Sequence, residues 1–218
     1  VLDSYKELLH NFDIHEVRCF STASLRLIDN KNEVLETVEK RTGIYIDLIS
    51  GLEEAHLDFI GAKLFTDISE GVIIDIGGGS TELVSFKDSR TLDSFSMPIG
   101  SLSMYNRFVK KILPSKKEKE EIRKEVLFNL ERLNDTGIIH GYFDVAIGVG
   151  GTIRAVLRLI NDLYDRPKDN RIFTYRELKK LLSLFKNNDR PTIAKILKIA
   201  PDRIHTLLPG MIVLHTIL

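Results

Sequence analysis

The first apolar positions, Leu2, Tyr5, Leu8, Leu9 and Phe12, fall at helical spacing and predict a helix over residues 1–12. Glu16–Phe20 reads as a short strand, and Ser21-Thr22 as a polar turn into a helix that starts at Ala23-Ser24-Leu25-Arg26. A further helix is expected with Asn32 as its cap, Leu35 and Val38 inward and Gly43 as its stop. Alternation over Ile44–Ile49 predicts a strand, which Ser50-Gly51 turns into a helix carrying Glu53, Glu54, Leu57 and Ile60. The pattern breaks between Gly61 and Gly71, where a domain boundary is expected.

Beyond that break the pattern changes. Val72-Ile73-Ile74-Asp75-Ile76 is an almost unbroken apolar run, the signature of a strand covered on both faces. Gly77-Gly78-Gly79-Ser80 separates it from a second strand, Thr81–Phe86, and a third follows over Leu92–Met97, so the segment reads as a hairpin. From Ser101 onward helices dominate. Lys116–Leu133 is long and amphipathic, with Ile122, Val126, Leu127 and Leu130 inward and a solvated Lys/Glu face. Val145–Val149 reads as a buried strand that runs through Gly150-Gly151 into a helix over Thr152–Leu163. Three more helices are expected, over Tyr175–Phe185, Pro191–Ile199 and the very apolar Leu208–Leu218.

Composition removes several function classes. Lys plus Arg and Asp plus Glu each number 31 in 218 residues, so no basic excess supports nucleic-acid binding. The single cysteine, Cys19, excludes an intrachain disulfide and a cysteine-based zinc site, and its surroundings read as core. No run of 18 apolar residues and no leader is visible, so a cytoplasmic protein without a membrane span is expected. The six histidines, His10, His15, His56, His140, His205 and His215, show no metal-ligand spacing.

Chemistry concentrates in four places. In Asp75-Ile76-Gly77-Gly78-Gly79-Ser80-Thr81-Glu82, three glycines strip the turn of Cβ atoms, so an anion could reach the backbone N–H groups. Ser80 and Thr81 add hydroxyl donors, and Asp75 and Glu82 flank the turn as two carboxylates suited to magnesium. A tight hairpin with a capped aspartate would need the same residues. Gly148-Val149-Gly150-Gly151-Thr152 carries a strand into a helix N-terminus, which favours an anion or simply close packing, and Arg154 stands in the first helical turn. Ser50-Gly51-Leu52-Glu53-Glu54-Ala55 places two glutamates where one could orient a water and either could cap the helix. Arg26 is a cation at a strand–helix turn, free for an ion pair or an anion.

The ordered series Ser21-Thr22-Ala23-Ser24-Leu25-Arg26, Ile49 to Ala55, Asp75 to Leu83, Met97-Pro98-Ile99-Gly100-Ser101, Gly148 to Ala155 and Leu208 to Leu214 resembles the exopolyphosphatase / guanosine pentaphosphate phosphohydrolase family. That resemblance implies an α/β fold of the actin-like ATPase and sugar kinase superfamily, with ribonuclease H-like lobes. Residues 1–64 would be the remainder of a first lobe, incomplete because the family's opening phosphate loop is not matched, and 65–218 a second lobe with added helices. It implies that Glu54 orients the hydrolytic water, that Arg26 assists the anion, and that Asp75 and Glu82 serve magnesium. Gly77, Gly78, Gly79 and Ser80, with Thr81 beside them, and Gly150, Gly151 and Thr152 would hold phosphate. The substrate would be polyphosphate or guanosine pentaphosphate, and the assembly a homodimer. An ATP-using kinase or ATPase of the same superfamily, or a non-catalytic phosphate or alarmone sensor, are the alternative readings.

Overall fold

The structure, a computed structural model, describes residues 1–135, 143–186 and 190–218; His140 lies outside them. The first residues form α1 (Leu2–Asn11), β1 (Cys19–Ser21), the single turn α2 (Ala23–Arg26), α3 (Lys31–Thr42) and β2 (Ile46–Leu48). β1 and β2 pair in parallel, Phe20 opposite Asp47. α3 ends where expected, at Gly43 in the left-handed region at φ 68°, which costs glycine little. Both strands are shorter than the alternation predicts, and Cys19 is half-buried rather than core.

The main sheet is built from β3 (Glu70–Ile76), β4 (Thr81–Lys87), β5 (Arg90–Met97) and β6 (Ala146–Val149), in the order β5-β4-β3-β6. β3, β4 and β5 form an antiparallel meander, and β6 adds parallel to β3. The turn between β4 and β5 is Asp88-Ser89, with φ 49° and 61°, so two non-glycine residues make a hairpin turn with both central residues left-handed. β6 is an edge strand, and its residues alternate between exposed and half-buried. The buried strand expected from its apolar residues is therefore corrected: among the described residues β6 has a neighbour on one side only.

Alternation along β3 and β4 sends side chains to two layers. One face carries Ile74, Ile76 and Leu83 into the large core with α5 (Ser101–Phe108), α6 (Lys116–Asp135), α7 (Gly150–Leu163), α8 (Tyr175–Leu184) and α10 (Leu207–Ile217). α10 runs through the middle of that layer, and Leu207–Leu214 are all buried. α9 (Arg190–Ile199) packs against α7. In α6, Ile122 and Val126 are buried as expected, but Leu127 is exposed and Asn129 is buried in its stead. The Asn129 side-chain amide donates to Glu125 O at 2.8 Å, which satisfies it there.

The opposite face carries Ile73, Val84 and Phe86 into a smaller core under α4 (Gly51–Lys63), which contributes Ala55, Phe59 and Ala62. No helix among the described residues is long and apolar enough to cross a membrane.

The glycine turn between β3 and β4 is held from behind by α5. The N–H of Ser101 donates to Gly77 O, and those of Leu102 and Ser103 donate to Gly78 O, each at 2.9 Å. Gly100 lets the helix come this close: a Cβ there would stand 2.5 Å from Gly78 O. A Cβ on Gly78 would meet nothing nearer than Leu102 Cβ at 3.7 Å, and Gly78 has no positive φ. Gly100→Ala should therefore cost about 1–3 kcal/mol of stability by overpacking, whereas Gly78→Ala should fold nearly as well as the parent chain. Denaturant melts of the two variants check this, and equal losses would contradict the docking of α5 on the turn.

Candidate active site

Antiparallel register puts Asp75 directly opposite Glu82. Directly opposed residues share a face, and here it is the one covered by α4. α4 is started by Ser50, whose hydroxyl accepts from Glu53 N while Glu53 accepts from Ser50 N at 2.7 Å. These bonds hold the Glu53 carboxyl below the ordinary glutamate range. Glu53 is thus the capping residue, and Glu54, one position on, turns toward the sheet.

Glu54 meets Arg26. The guanidinium Nη1 donates to Glu54 Oε2 at 3.1 Å and to Ile49 O at 3.0 Å, and Nη2 lies 3.9 Å from Glu82 Oε1. The arginine side chain is 19% exposed, so it is largely withdrawn from solvent screening. Among the described residues no donor meets Glu54 Oε1. Gly51 leaves room for β5 beneath the helix start, since a Cβ on it would stand 2.3 Å from Ser96 Cβ. Ser96 Oγ in turn donates to Glu82 Oε1 at 2.8 Å.

One turn beyond Glu54 on the same helix face lies Asp58. Asp58, Asp75 and Glu82 each offer a carboxylate oxygen within 4.8 Å of the others. Asp58 Oδ2, Asp75 Oδ1 and Glu82 Oε2 are buried without a hydrogen-bond partner. Burial, then the charges of Asp75, Glu82 and Glu54, pushes the Asp58 carboxyl up to about 7. Glu82, 1% exposed, is also pushed up to about 7 by burial, with Glu54 and Asp75 adding to the effect and hydrogen bonds from Ser80 and Ser96 opposing it. Asp75 is raised by burial and by Glu54, against the pull of Arg154. Converging hard oxygens with open lone pairs are what a magnesium ion requires, so the residues fit the metal that the resemblance implies.

The glycine turn lies alongside. Gly79 packs on α2, where a Cβ would come within 3.1 Å of Ala23 Cβ. Among the described residues no carbonyl accepts from the N–H groups of Gly78, Gly79 or Ser80. A hollow of about 310 Å³ opens here, lined by Arg26, Ser50, Gly51, Ser80, Ser96 and Pro98 among others. Gly150 takes φ 87°, and a Cβ on it would stand 2.2 Å from Asp75 Oδ1, so the second glycine segment also reaches the carboxylates.

Three positions face elsewhere. Thr81 is fully buried and its hydroxyl donates to Ile99 O, because strand alternation turns it away from Glu82. A phosphate contact from that hydroxyl is therefore corrected to an internal tie. Thr152 is buried against Gly210, and Gly151 lies under the guanidinium of Arg203, where a Cβ would come 2.1 Å from Nη2. Sequence reasoning missed Asp58, Ser96 and Arg203. Only Asp58 had a signal, its i,i+4 spacing from Glu54 on one helix face.

All 218 residues match the Ppx/GppA phosphatase family. Exopolyphosphatase 1 of Mycobacterium leprae is 26% identical over 202 residues, covering 91% of this chain and 60% of that protein. The crystal structure of the Aquifex aeolicus Ppx/GppA family member superposes with a TM-score of 0.76 at 24% identity, covering 99% of this chain and 70% of that one. A crystal structure of an exopolyphosphatase from Cytophaga hutchinsonii reaches 0.82 at 18% identity, covering 100% and 72%. The chain spans about 60% of the length of the curated relatives it matches. The α/β fold is accordingly the one seen in solved Ppx/GppA structures. With the match running from Val1 to Leu218, the chain belongs to the Ppx/GppA phosphatase family.

Proposed function

We propose that the intact protein is a phosphoanhydride hydrolase that releases orthophosphate from the end of polyphosphate or from guanosine pentaphosphate. The observation that carries this reading is the meeting of an arginine-held glutamate with three buried, unpartnered carboxylate oxygens beside a glycine turn in which the N–H groups of Gly78, Gly79 and Ser80 meet no carbonyl among the described residues. In this reading residues 1–64 and 65–218 belong to two lobes, and the phosphate chain enters along the hollow at Arg26. The relative in Mycobacterium leprae bears the name exopolyphosphatase, which favours polyphosphate over the nucleotide. A cytoplasmic setting and a homodimer belong to the same reading. Exposed Tyr5, Leu8, Phe12 and Phe20 offer apolar surface to another polypeptide.

The chemistry follows from which groups are engaged and which are open. Arg26 fixes Glu54 through Oε2, leaving Oε1 to hold a water and take its proton as the oxygen attacks the terminal phosphorus in line. The N–H groups of Gly78, Gly79 and Ser80 face the phosphoryl oxygens and stabilise charge that builds on them. The shortened chain leaves as the orthophosphate forms. A magnesium ion held by Asp75 and Glu82 would neutralise charge on the phosphate oxygens.

Glu54→Gln should lower kcat by about 100-fold or more while leaving phosphate-chain binding in place. Steady-state kinetics paired with a binding titration check it, and a near-normal kcat would return Glu54 to a structural role. The carboxylates also set a pH dependence. Raised above the ordinary values of 3.8 and 4.5, Asp58 and Glu82 bind protons more tightly in the folded chain. Stability of the metal-free protein should thus fall as pH rises from about 4 to about 7, and magnesium, which needs the deprotonated groups, should reverse the loss. Thermal unfolding with and without magnesium should show a small rise in Tm near about pH 5 and a larger one near about pH 8. Equal rises at both would detach the ion from these carboxylates.

A further inference from the structure

Asp58 is not part of any motif that carried the resemblance, yet it supplies the third converging oxygen. It reaches the site from α4, one turn after Glu54, whereas Asp75 and Glu82 come from paired strands. The small core beside it is apolar, with Ala55, Ile73 and Val84 buried and Phe59 packed on them. A carboxylate in such a place is costly unless a cation or donors meet it. No described cation pairs with Asp58: Arg26 is engaged by Glu54 and lies near Glu82, and Arg154 donates to Gly150 O. Within the cluster, Glu82 is only 1% exposed, and its Oε2 is buried with no hydrogen-bond partner, as are Asp58 Oδ2 and Asp75 Oδ1.

Magnesium is commonly held by one or two carboxylates plus the phosphates of a substrate, so it often arrives with them. Three carboxylates change that balance. Around an octahedral magnesium ion, adjacent oxygens are about 3.0 Å apart and opposite ones about 4.2 Å apart; the three here lie within 4.8 Å of one another. Side-chain rotation brings such a set onto one shared ion.

We propose that Asp58 is a third ligand of the divalent-cation site, and that with it the chain holds magnesium before any phosphate substrate binds. The proposal rests on the reading of Asp75 and Glu82 as magnesium ligands and adds a residue and an order of binding to it. Charge favours metal first, substrate second: an ion seated on three carboxylates leaves that group net negative, but it lowers the repulsion that four bare carboxylates (Glu54 included) would otherwise exert on an incoming polyanion.

The test is isothermal titration calorimetry of the chelator-stripped full chain with magnesium chloride alone, no phosphate present. The parent chain should bind magnesium, and Asp58→Asn should weaken that affinity at least about tenfold. Metal-free Asp58→Asn should melt no earlier than the parent, because the change removes one of several crowded like charges without changing shape. Asp58→Ser, a smaller replacement, should repeat the loss of affinity and so separates it from any packing effect of the amide. Magnesium affinity unchanged in both variants would overturn the proposal, as would a parent chain that takes up magnesium only once a phosphate chain is supplied. The underlying reading fails by a different measurement: polyphosphate hydrolysis by the intact protein that continues in excess chelator.

Discussion

Everything at this site depends on the pairing of β3 with β4 in one particular register. Asp75 sits opposite Glu82 because the four-residue turn closes with Ile76 against Thr81. A slip of one residue would send Glu82 into the apolar layer under α10 and bring Thr81 to the α4 face. Register is pinned from both sides. Ile73, Val84 and Phe86 must lie under α4, while Ile74, Ile76 and Leu83 must lie in the larger core. The apolar residues thus fix where the charges stand, and the charges themselves work against the fold.

That opposition explains the role of Arg26. Four carboxylates meet at the face of α4, and one guanidinium, bonded to Glu54 and close to Glu82, lies among them. The arginine comes from the one-turn helix α2, whose Ala23 packs on Gly79, so the same short segment touches the glycine turn and supplies the cation. A buried cluster of this kind costs stability, since an apolar face would fold more readily.

Much of this was legible in the chain, and the reasons differ by element. The β3 strand and the glycine turn were readable because an apolar run followed by three glycines has few other uses. The start of α4 was readable, but which glutamate capped it was not: the capping box takes the residue three after Ser50, and that leaves Glu54 for the site. Thr81 was misplaced because adjacent residues on a strand point to opposite faces, and the hydroxyl beside Glu82 necessarily faces away from it. The tight turn at Asp88-Ser89 carries no glycine and gave no warning of its left-handed backbone. The helical pattern of α6 is broad enough to admit Leu127 to the inner face, where the structure instead buries Asn129, a satisfied amide in a core position.

The seating of α5 behind the glycine turn has an electronic consequence. A peptide unit whose carbonyl accepts hydrogen bonds becomes a better donor at its own N–H, by about 10–30% per bond in condensed-phase estimates. The carbonyl of Gly77 takes both the N–H and the hydroxyl of Ser101, and that of Gly78 takes the N–H groups of Leu102 and Ser103. The amides polarised in this way are those of Gly78 and Gly79, on the open side of the turn. The first turn of α5 therefore never touches an anion at the turn, yet it lends its dipole through two peptide planes to the atoms that would.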